Sequence, residues 1–280
     1  MIAARREIDG KEVAWHYDEL DQFYRDIWGE HVHSGLWLKG NETRDEAIRQ
    51  HVAMIATEAG VEPGHAVCDI GCGYGATARM IAAEYGANVT AVTISPAQHA
   101  FAVSKPKQAG CRYVLADWLN NDFSGETFER AIAVESSEHM PDLNGFFTQA
   151  HRVLKPGGRL VVSAWLSGEQ PRGWEKRLLL EPVCREGRMP KMATFSEYQR
   201  LAADAGFVTE RVRDLTRRIE RTWPSQAIAF LRQLAKDPRY ARFLFLRHAR
   251  NRGFALTMLR IWFAYRTGAM RYGVFSFRKN

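Results

Sequence analysis

The chain has 280 residues, 46% of them hydrophobic and 25% charged, which suits one globular α/β domain with an elaborated lid, or two domains at most. Met1 to Val13 has no apolar core for a signal peptide. Tyr85 to Ser104 is free of charge, but it carries Asn88, Pro96, Gln98 and His99 and reads as strand, turn and helix instead of a membrane span. Cys68, Cys72, Cys111 and Cys184 form no CxxC pair, so a reducing, cytoplasmic setting without disulfides or a metal site is expected.

The net charge of +7 is unevenly placed. From Ala241 to Asn280 there are nine Lys/Arg (Arg242, Arg247, Arg250, Arg252, Arg260, Arg266, Arg271, Arg278 and Lys279) and no acid. One reading is a solvated helix face whose arginine stems cover apolar surface. Another is peripheral contact with an anionic membrane. Nucleic acid is not expected as a partner.

Ala14 to Trp28 has apolar or aromatic residues at 15, 17, 20, 23, 24, 27 and 28, which is close to helical spacing. Gly29 to Trp37 breaks that pattern, and Glu42 to Ala59 resumes it, with Gly60 as its stop. An alternation follows: strand 66–70, helix 75–85, strand 88–94, helix 96–109, strand 111–116, strand 129–134, helix 142–154 and strand 159–166. Ser95-Pro96 is a helix start, and Pro106 is placed to cut that helix short. Strands separated by helix-length segments imply right-handed βαβ units and a parallel sheet. Ser167 to Ala193 reads as an irregular lid. Thr194 to Glu197 is a capping box that opens helix 195–205. Val208 to Leu215 is a sixth strand. Arg221 to Gly268 is mostly helical and forms a cap before a last strand, Met270 to Phe277. Trp165, Trp174, Trp223, Phe230, Phe243, Phe245, Phe254, Trp262 and Phe263 offer aromatic lining for an apolar pocket.

The informative stretch is Val67-Cys-Asp69-Ile-Gly71-Cys-Gly73-Tyr-Gly75-Ala-Thr77: a strand, a glycine turn and a helix start, where backbone N–H groups approach a ligand. Taken alone it also satisfies the dinucleotide pattern G-x-G-x-x-G/A. Asp69, two residues before the first glycine, would crowd a pyrophosphate but could pair with an ammonium group. The next strand ends in Thr93-Ile-Ser95-Pro96, not in the acid that holds an NAD ribose. A zwitterionic, sulfonium-bearing ligand fits better than a dinucleotide. Ligands in open α/β sheets lie at the carboxyl ends of the strands. There Asp69 and the glycines meet Thr93, Ser95 and Gln98, then Ala116-Asp117-Trp118, then Glu135-Ser-Ser-Glu138-His139-Met140-Pro141.

The glycine stretch resembles motif I of the class I S-adenosylmethionine (SAM) methyltransferases. With Tyr17-Asp18, His33-Ser34-Gly35-Leu-Trp37 and the strand-end clusters, residues 12 to 224 resemble the γ-tocopherol methyltransferase-like small-molecule methyltransferases, relatives of cyclopropane-fatty-acid synthases and sterol methyltransferases. The resemblance implies an α/β, Rossmann-like, seven-stranded, mostly parallel sheet with helices on both faces, N-terminal helices, and a helical cap inserted before the last strand. It divides the chain into a segment closing over the cofactor (1–60), a SAM-binding core (61–166), and the lid, the rest of the core and the cap (167–280).

By the same resemblance, Gly71, Gly73 and Gly75 approach the methionine part of SAM, Asp69 and Glu135 contribute to cofactor binding, and Tyr17, His33, Ser34 and Gly35 close over it. Thr93, Ser95 and Gln98 meet the ribose, Asp117 the adenine amino group, and Trp118 stacks near the ring. His139 is the candidate base for a neutral hydroxyl or carbon acceptor, and Glu138 orients it. The implied activity is methyl transfer to a small, largely apolar phenol, quinol, alkaloid-like or other natural-product acceptor. A phospholipid-modifying relative of the cyclopropane synthases is an alternative. An RNA-binding methyltransferase is another, although no Asn-Pro-Pro-Tyr motif follows strand four.

Overall fold

The computed structural model describes residues 1–4, 7–240 and 254–280, apart from the side chains of 254–256. Seven strands form the main sheet: β2 (Ala66–Ile70), β3 (Asn88–Thr93), β4 (Cys111–Leu115), β5 (Phe128–Val134), β6 (Leu154–Ser167), β8 (Phe207–Asp214) and β9 (Met270–Lys279). Their order is β4-β3-β2-β5-β6-β9-β8. The first five are parallel, and β9 runs antiparallel between β6 and β8. The expected sheet and the late insertion before the last strand are both present.

Period-two alternation fills both faces. Val67, Ile132 and Val161 go to one core, with Leu20, Tyr24, Ile55 and Ile81. Cys68, Ala131, Ala133, Leu160 and Val162 go to the other, with Phe146, Phe147, Phe275 and Phe277. Because both faces are covered, the central strands are apolar on both sides, as buried parallel strands are.

The 14–28 helix is two helices, α1 (Gly10–Glu19) and α2 (Asp21–Ile27), broken at Leu20. The break lets Leu20, Tyr24 and Ile27 pack inward while α1 lies against helix α5 (Pro96–Ser104). That helix ends at Ser104 instead of 109, just ahead of Pro106, whose ring restricts the residue before it. Helix α3 (Arg44–Ala59) has a complete Thr43/Glu46 capping box and ends on Gly60 at φ 63°. Helices α4 (Ala76–Tyr85) and α6 (Leu143–Val153) stand close to the expected positions.

The lid is the clearest correction. Residues 173–186 are helical: α7 (Gly173–Glu175), a π-helical turn (Lys176–Leu180) and α8 (Glu181–Glu186), the last with Pro182 in its first turn. Gly173 and Pro182 do not break the segment, because Leu179, Leu180, Val183 and Cys184 bury one face of it. Beyond it, β7 (Lys191–Met192) pairs with β1 (Ile2–Ala3) in a separate two-stranded sheet. Two-residue strands carry no readable periodicity, and this pair was not foreseen. Helix α9 (Phe195–Asp204) has the expected capping box. The cap comprises α10 (Thr216–Ile219), α11 (Thr222–Lys236) and α12 (Phe254–Thr267).

The described cations of the basic tail are engaged. Arg260 pairs with Glu186 at 2.6 Å, Arg266 with Glu220 at 3.3 Å, Arg271 with Asp214 at 3.3 Å and Arg278 with Glu210 at 3.1 Å. Lys279 donates to the Leu154 carbonyl at 2.7 Å. Arg242, Arg247, Arg250 and Arg252 lie outside the described residues.

Candidate active site

The carboxyl ends of β2, β3, β4 and β5 open into one cavity, roofed by α1 and the loop that follows α2. Eleven residues anticipated from sequence line it: Tyr17, His33, Asp69, Gly71, Gly73, Thr93, Gln98, Asp117, Trp118, Glu135 and His139. The three glycines have φ of 78°, 54° and 72°, the left-handed region that side chains resist, yet they differ in surroundings. A Cβ on Gly71 would lie 2.4 Å from that of Ser136, and one on Gly75 would lie 2.4 Å from the Tyr113 ring. At Gly73 the nearest group is the Gln98 amide nitrogen, 3.9 Å away. Gly71 and Gly75 therefore serve close packing, and Gly73 alone leaves backbone open to a ligand.

Asp69 is 1% exposed, lines the cavity, and leaves its Oδ2 without a hydrogen-bond partner. Burial pushes its carboxyl up to about 7. A buried carboxylate oxygen at the cavity wall is costly unless a donor reaches it. The Thr93 hydroxyl donates to Gln98 Oε1 at 2.9 Å, which leaves the Gln98 NH₂ free. Asp117 accepts from the Leu119 N–H at 3.0 Å and from the Asn120 side chain at 2.8 Å, so it caps a turn as well as lining the cavity. Trp118 donates its indole N–H to the Phe146 carbonyl at 3.3 Å and joins the core on its far side.

Ser34, Gly35, Gly75, Ser95 and Glu138 do not line the cavity; they build its wall. The Ser34 N–H donates to Glu135 at 2.8 Å, and its carbonyl accepts from His33 Nδ1 at 3.0 Å and His51 Nδ1 at 2.6 Å. The Gly35 N–H donates to Thr222 at 3.1 Å, where a Cβ would sit 2.7 Å from that of Ala47. Ser95 caps α5 by accepting from the Gln98 N–H at 3.1 Å. It also bonds Asp18, whose Oδ1 accepts from the Ala97 N–H at 3.2 Å. The acid at the end of β3 is thus lent by α1, and it caps a helix instead of facing the cavity.

His139 is held at both ring nitrogens. Nδ1 is 3.3 Å from the Arg188 carbonyl, which can only accept, so Nδ1 carries the proton. Nε2 is then an acceptor, 3.0 Å from the Tyr17 hydroxyl. Burial lowers the imidazole to about 4, keeping it neutral at pH 7. The Tyr17 phenol is raised well above its usual value, first by burial and then by Tyr24, Glu138 and Glu135. Glu138 was expected to orient His139; instead it accepts from the Trp165 backbone N–H at 3.1 Å, and its carboxyl is pushed up to about 8 by burial, with Glu135 adding to the shift. Glu135 takes φ 50°, rare for a non-glycine residue, and accepts from the Tyr272 hydroxyl at 2.7 Å.

Sequence reasoning missed Val13 and His31 in the lining, and His51, Arg188 and Tyr272 behind it. His51 had a readable signal, being polar on the buried face of α3; Arg188 and Tyr272 had none. Among the described residues, none of the aromatic lining expected of the cap reaches this cavity. Trp165 packs edge-on against Trp223 at 5.1 Å, while Trp174, Trp262 and Phe263 are 40%, 40% and 45% exposed. Phe243 and Phe245, and the Phe254 side chain, lie outside the described residues.

The chain is 28% identical over 232 residues to the probable tocopherol O-methyltransferase of Oryza sativa subsp. japonica, covering 76% of this chain and 64% of that one. It is 32% identical over 198 residues to the 2-methyl-6-phytyl-1,4-hydroquinone methyltransferase of Synechocystis, covering 66% and 61%. It thus spans less than two thirds of the length of both. The fold matches the cyclopropane synthase MmaA2 of Mycobacterium tuberculosis with a TM-score of 0.81, at 23% identity over 96% of this chain and 98% of that one. It matches the [4+2]-cyclase SpnF with a TM-score of 0.83, at 20% identity over 100% and 99%. A fold shared with a cyclase does not assign a reaction by itself. Residues 4–237 match the family model of mycolic acid cyclopropane synthetase, and the chain belongs to that family.

Proposed function

We propose that this protein is a SAM-dependent methyltransferase acting on a small, largely apolar acceptor. The observation that carries the reading is Asp69, whose buried, unpartnered carboxylate oxygen faces a cavity beside the open backbone of Gly73. A zwitterion with an ammonium group satisfies that oxygen; a pyrophosphate does not. SAM supplies an electrophilic methyl group on a sulfonium centre. Asp69 would hold its ammonium group, the Gln98 NH₂ and Asp117 would meet ribose and adenine, and Tyr17 would close the cavity from α1. Holding donor and acceptor in line accounts for most of the acceleration in such a displacement. His139, neutral and with Nε2 accepting from the Tyr17 hydroxyl at the cavity wall, takes the proton of an acceptor hydroxyl through that hydroxyl, which passes its own proton to Nε2 as it receives the acceptor's. The names of the tocopherol and phytyl-hydroquinone relatives support an apolar acceptor. The reading includes natural-product biosynthesis in the cytoplasm, in keeping with four free cysteines.

Calorimetry with S-adenosylhomocysteine tests it. An ammonium group bound beside Asp69 requires the ionised carboxylate, so binding expels a proton below pH 7. Affinity should fall roughly tenfold between pH 8 and pH 6, and Asp69→Asn should bind weakly with no pH dependence. NADH should not bind. Tight NADH binding, or affinity that ignores both pH and Asp69, would overturn the reading. Mass spectrometry of products from a panel of phenols, quinols, sterols and amines then identifies the acceptor class.

A further inference from the structure

The cap carries an apolar face that the cavity does not use. Helix α12 has two faces. Met258, Ile261, Ala264 and Tyr265 are buried, while Leu259, Trp262 and Phe263 are 57%, 40% and 45% exposed. Across from it, the lid helix exposes Trp174 and Leu178 at 40% and 64%, one turn apart. The two faces meet: the Trp174 and Phe263 rings lie 6.4 Å apart at the surface. Helix α11, which packs on α12, turns Ile228 and Leu231 outward at 50% and 60%. Scattered exposed apolar residues need no explanation, but a cluster holding two tryptophans and a phenylalanine on adjoining elements does.

The exposed charges on these helices that lack an ion-pair partner are basic. Lys176 and Arg177 are exposed on the lid helix beside Trp174, and Arg232 and Lys236 are exposed on α11; among the described residues none of the four has an acidic partner. No Asp or Glu occurs between Pro238 and Asn280. Arg260 and Arg266 of α12, like Arg271 and Arg278 of β9, are instead paired with acids. Among the described residues no helix is long and apolar enough to cross a membrane. Exposed Trp, Phe and Leu with lysine and arginine at the rim are the chemistry of a surface that rests in a headgroup layer.

We infer that the face formed by Trp174, Leu178, Leu259, Trp262 and Phe263 docks on a bilayer containing anionic phospholipid. The aromatic rings insert at the headgroup level and the basic rim meets the lipid phosphates. The lid follows the carboxyl end of β6, so this face lies at the same end of the sheet as the cavity. Docking does not depend on the identity of the acceptor.

Flotation of the full chain with vesicles tests this. The vesicles are phosphatidylcholine alone, or equal parts phosphatidylcholine and phosphatidylglycerol. Binding should require phosphatidylglycerol and fall at least tenfold when salt is raised from about 0.05 to about 0.5 M. Trp174→Ser with Phe263→Ser should lower binding at least tenfold, and so should Lys176→Glu with Arg177→Glu. Because these side chains are exposed and outside the cavity, melting temperature and S-adenosylhomocysteine affinity should stay unchanged. No binding to the acidic vesicles at low salt, or binding indifferent to both double variants, overturns the proposal. So does a dimer in sedimentation that Trp174→Ser with Phe263→Ser dissociates, which would make this face a contact between copies.

Discussion

A histidine that works as a base near neutral pH is usually pictured as titrating there. His139 does not. Its burial between Tyr17 and the Arg188 carbonyl lowers it to about 4, so it is ready to accept a proton throughout the neutral range. The ascending limb of a rate–pH profile should therefore lie near pH 4, well below the 6.5 of an ordinary histidine. His139→Ala should lower kcat on a hydroxyl acceptor by about 10²–10⁴-fold, with S-adenosylhomocysteine affinity nearly unchanged, and an amine acceptor should suffer less. A wild-type kcat in a stable His139→Ala protein would leave positioning as the whole source of catalysis. The carboxylates behind it have structural partners. Glu138 ties to the β6 backbone through Trp165, and Glu135 joins the Ser34 loop to Tyr272 of β9.

Among the elements, the turn between β2 and α4 holds three glycines for two reasons, and substitution separates them. Gly71 carries a positive φ and a close approach to Ser136; Gly73 carries only the positive φ. Gly73→Ala should cost about 1–2 kcal/mol, the strain of a left-handed alanine. Gly71→Ala must in addition push β2 and β5 apart, so it should cost clearly more in urea unfolding. Equal losses would mean that the Ser136 contact relaxes freely. The lid makes a related point. Its helix forms despite Gly173 and Pro182 because burial of Leu179, Leu180, Val183 and Cys184 outweighs local propensity.

For the molecule as a whole, two sets of buried groups set the dependence of stability on pH. His31, His51 and His139 are lowered to about 4, and His33 is lowered well below its usual value, in each case chiefly by burial. Their contribution is complete above 6.5, where the unfolded state is also neutral, and is lost as pH falls toward 4. Asp69 and Glu138 are raised to about 7 and about 8. Their contribution is complete below the unfolded carboxylate range and is lost as pH rises through 7 and 8. Between about 4 and 6.5 the two sets oppose each other. Above 6.5 the histidines no longer act and the carboxylates dominate, with the buried thiols adding only near the top of the range, so the ligand-free protein should lose roughly 3 kcal/mol between pH 6.5 and pH 8.5. Glu138→Gln should flatten most of that slope. A melting temperature that holds level over this range in the wild type would contradict the assignment.

Local patterns in the chain determined the parallel core by themselves. Alternating strands and helices, the glycine turn, the Ser95-Pro96 start and the Thr194 capping box depend on residues close in sequence, and each stands close to where those signals put it. The strand-end clusters were legible for the same reason, since a parallel sheet carries its ligand at one edge. Only the tertiary structure decided which of those residues face the cavity. Ser95 and Glu138 are adjacent in sequence to lining residues, yet they turn to a helix cap and to the β6 backbone. Long-range pairing set the rest. Antiparallel insertion of β9 puts Tyr272 opposite Trp165 and within reach of Glu135, 137 residues away in sequence. Arg188 reaches His139 through its carbonyl, a group every residue has, and the lid helix draws its stability from the core beneath it. Periodicity and propensity are properties of neighbours in the chain, whereas a hydrogen bond to a distant carbonyl exists only once the chain has closed.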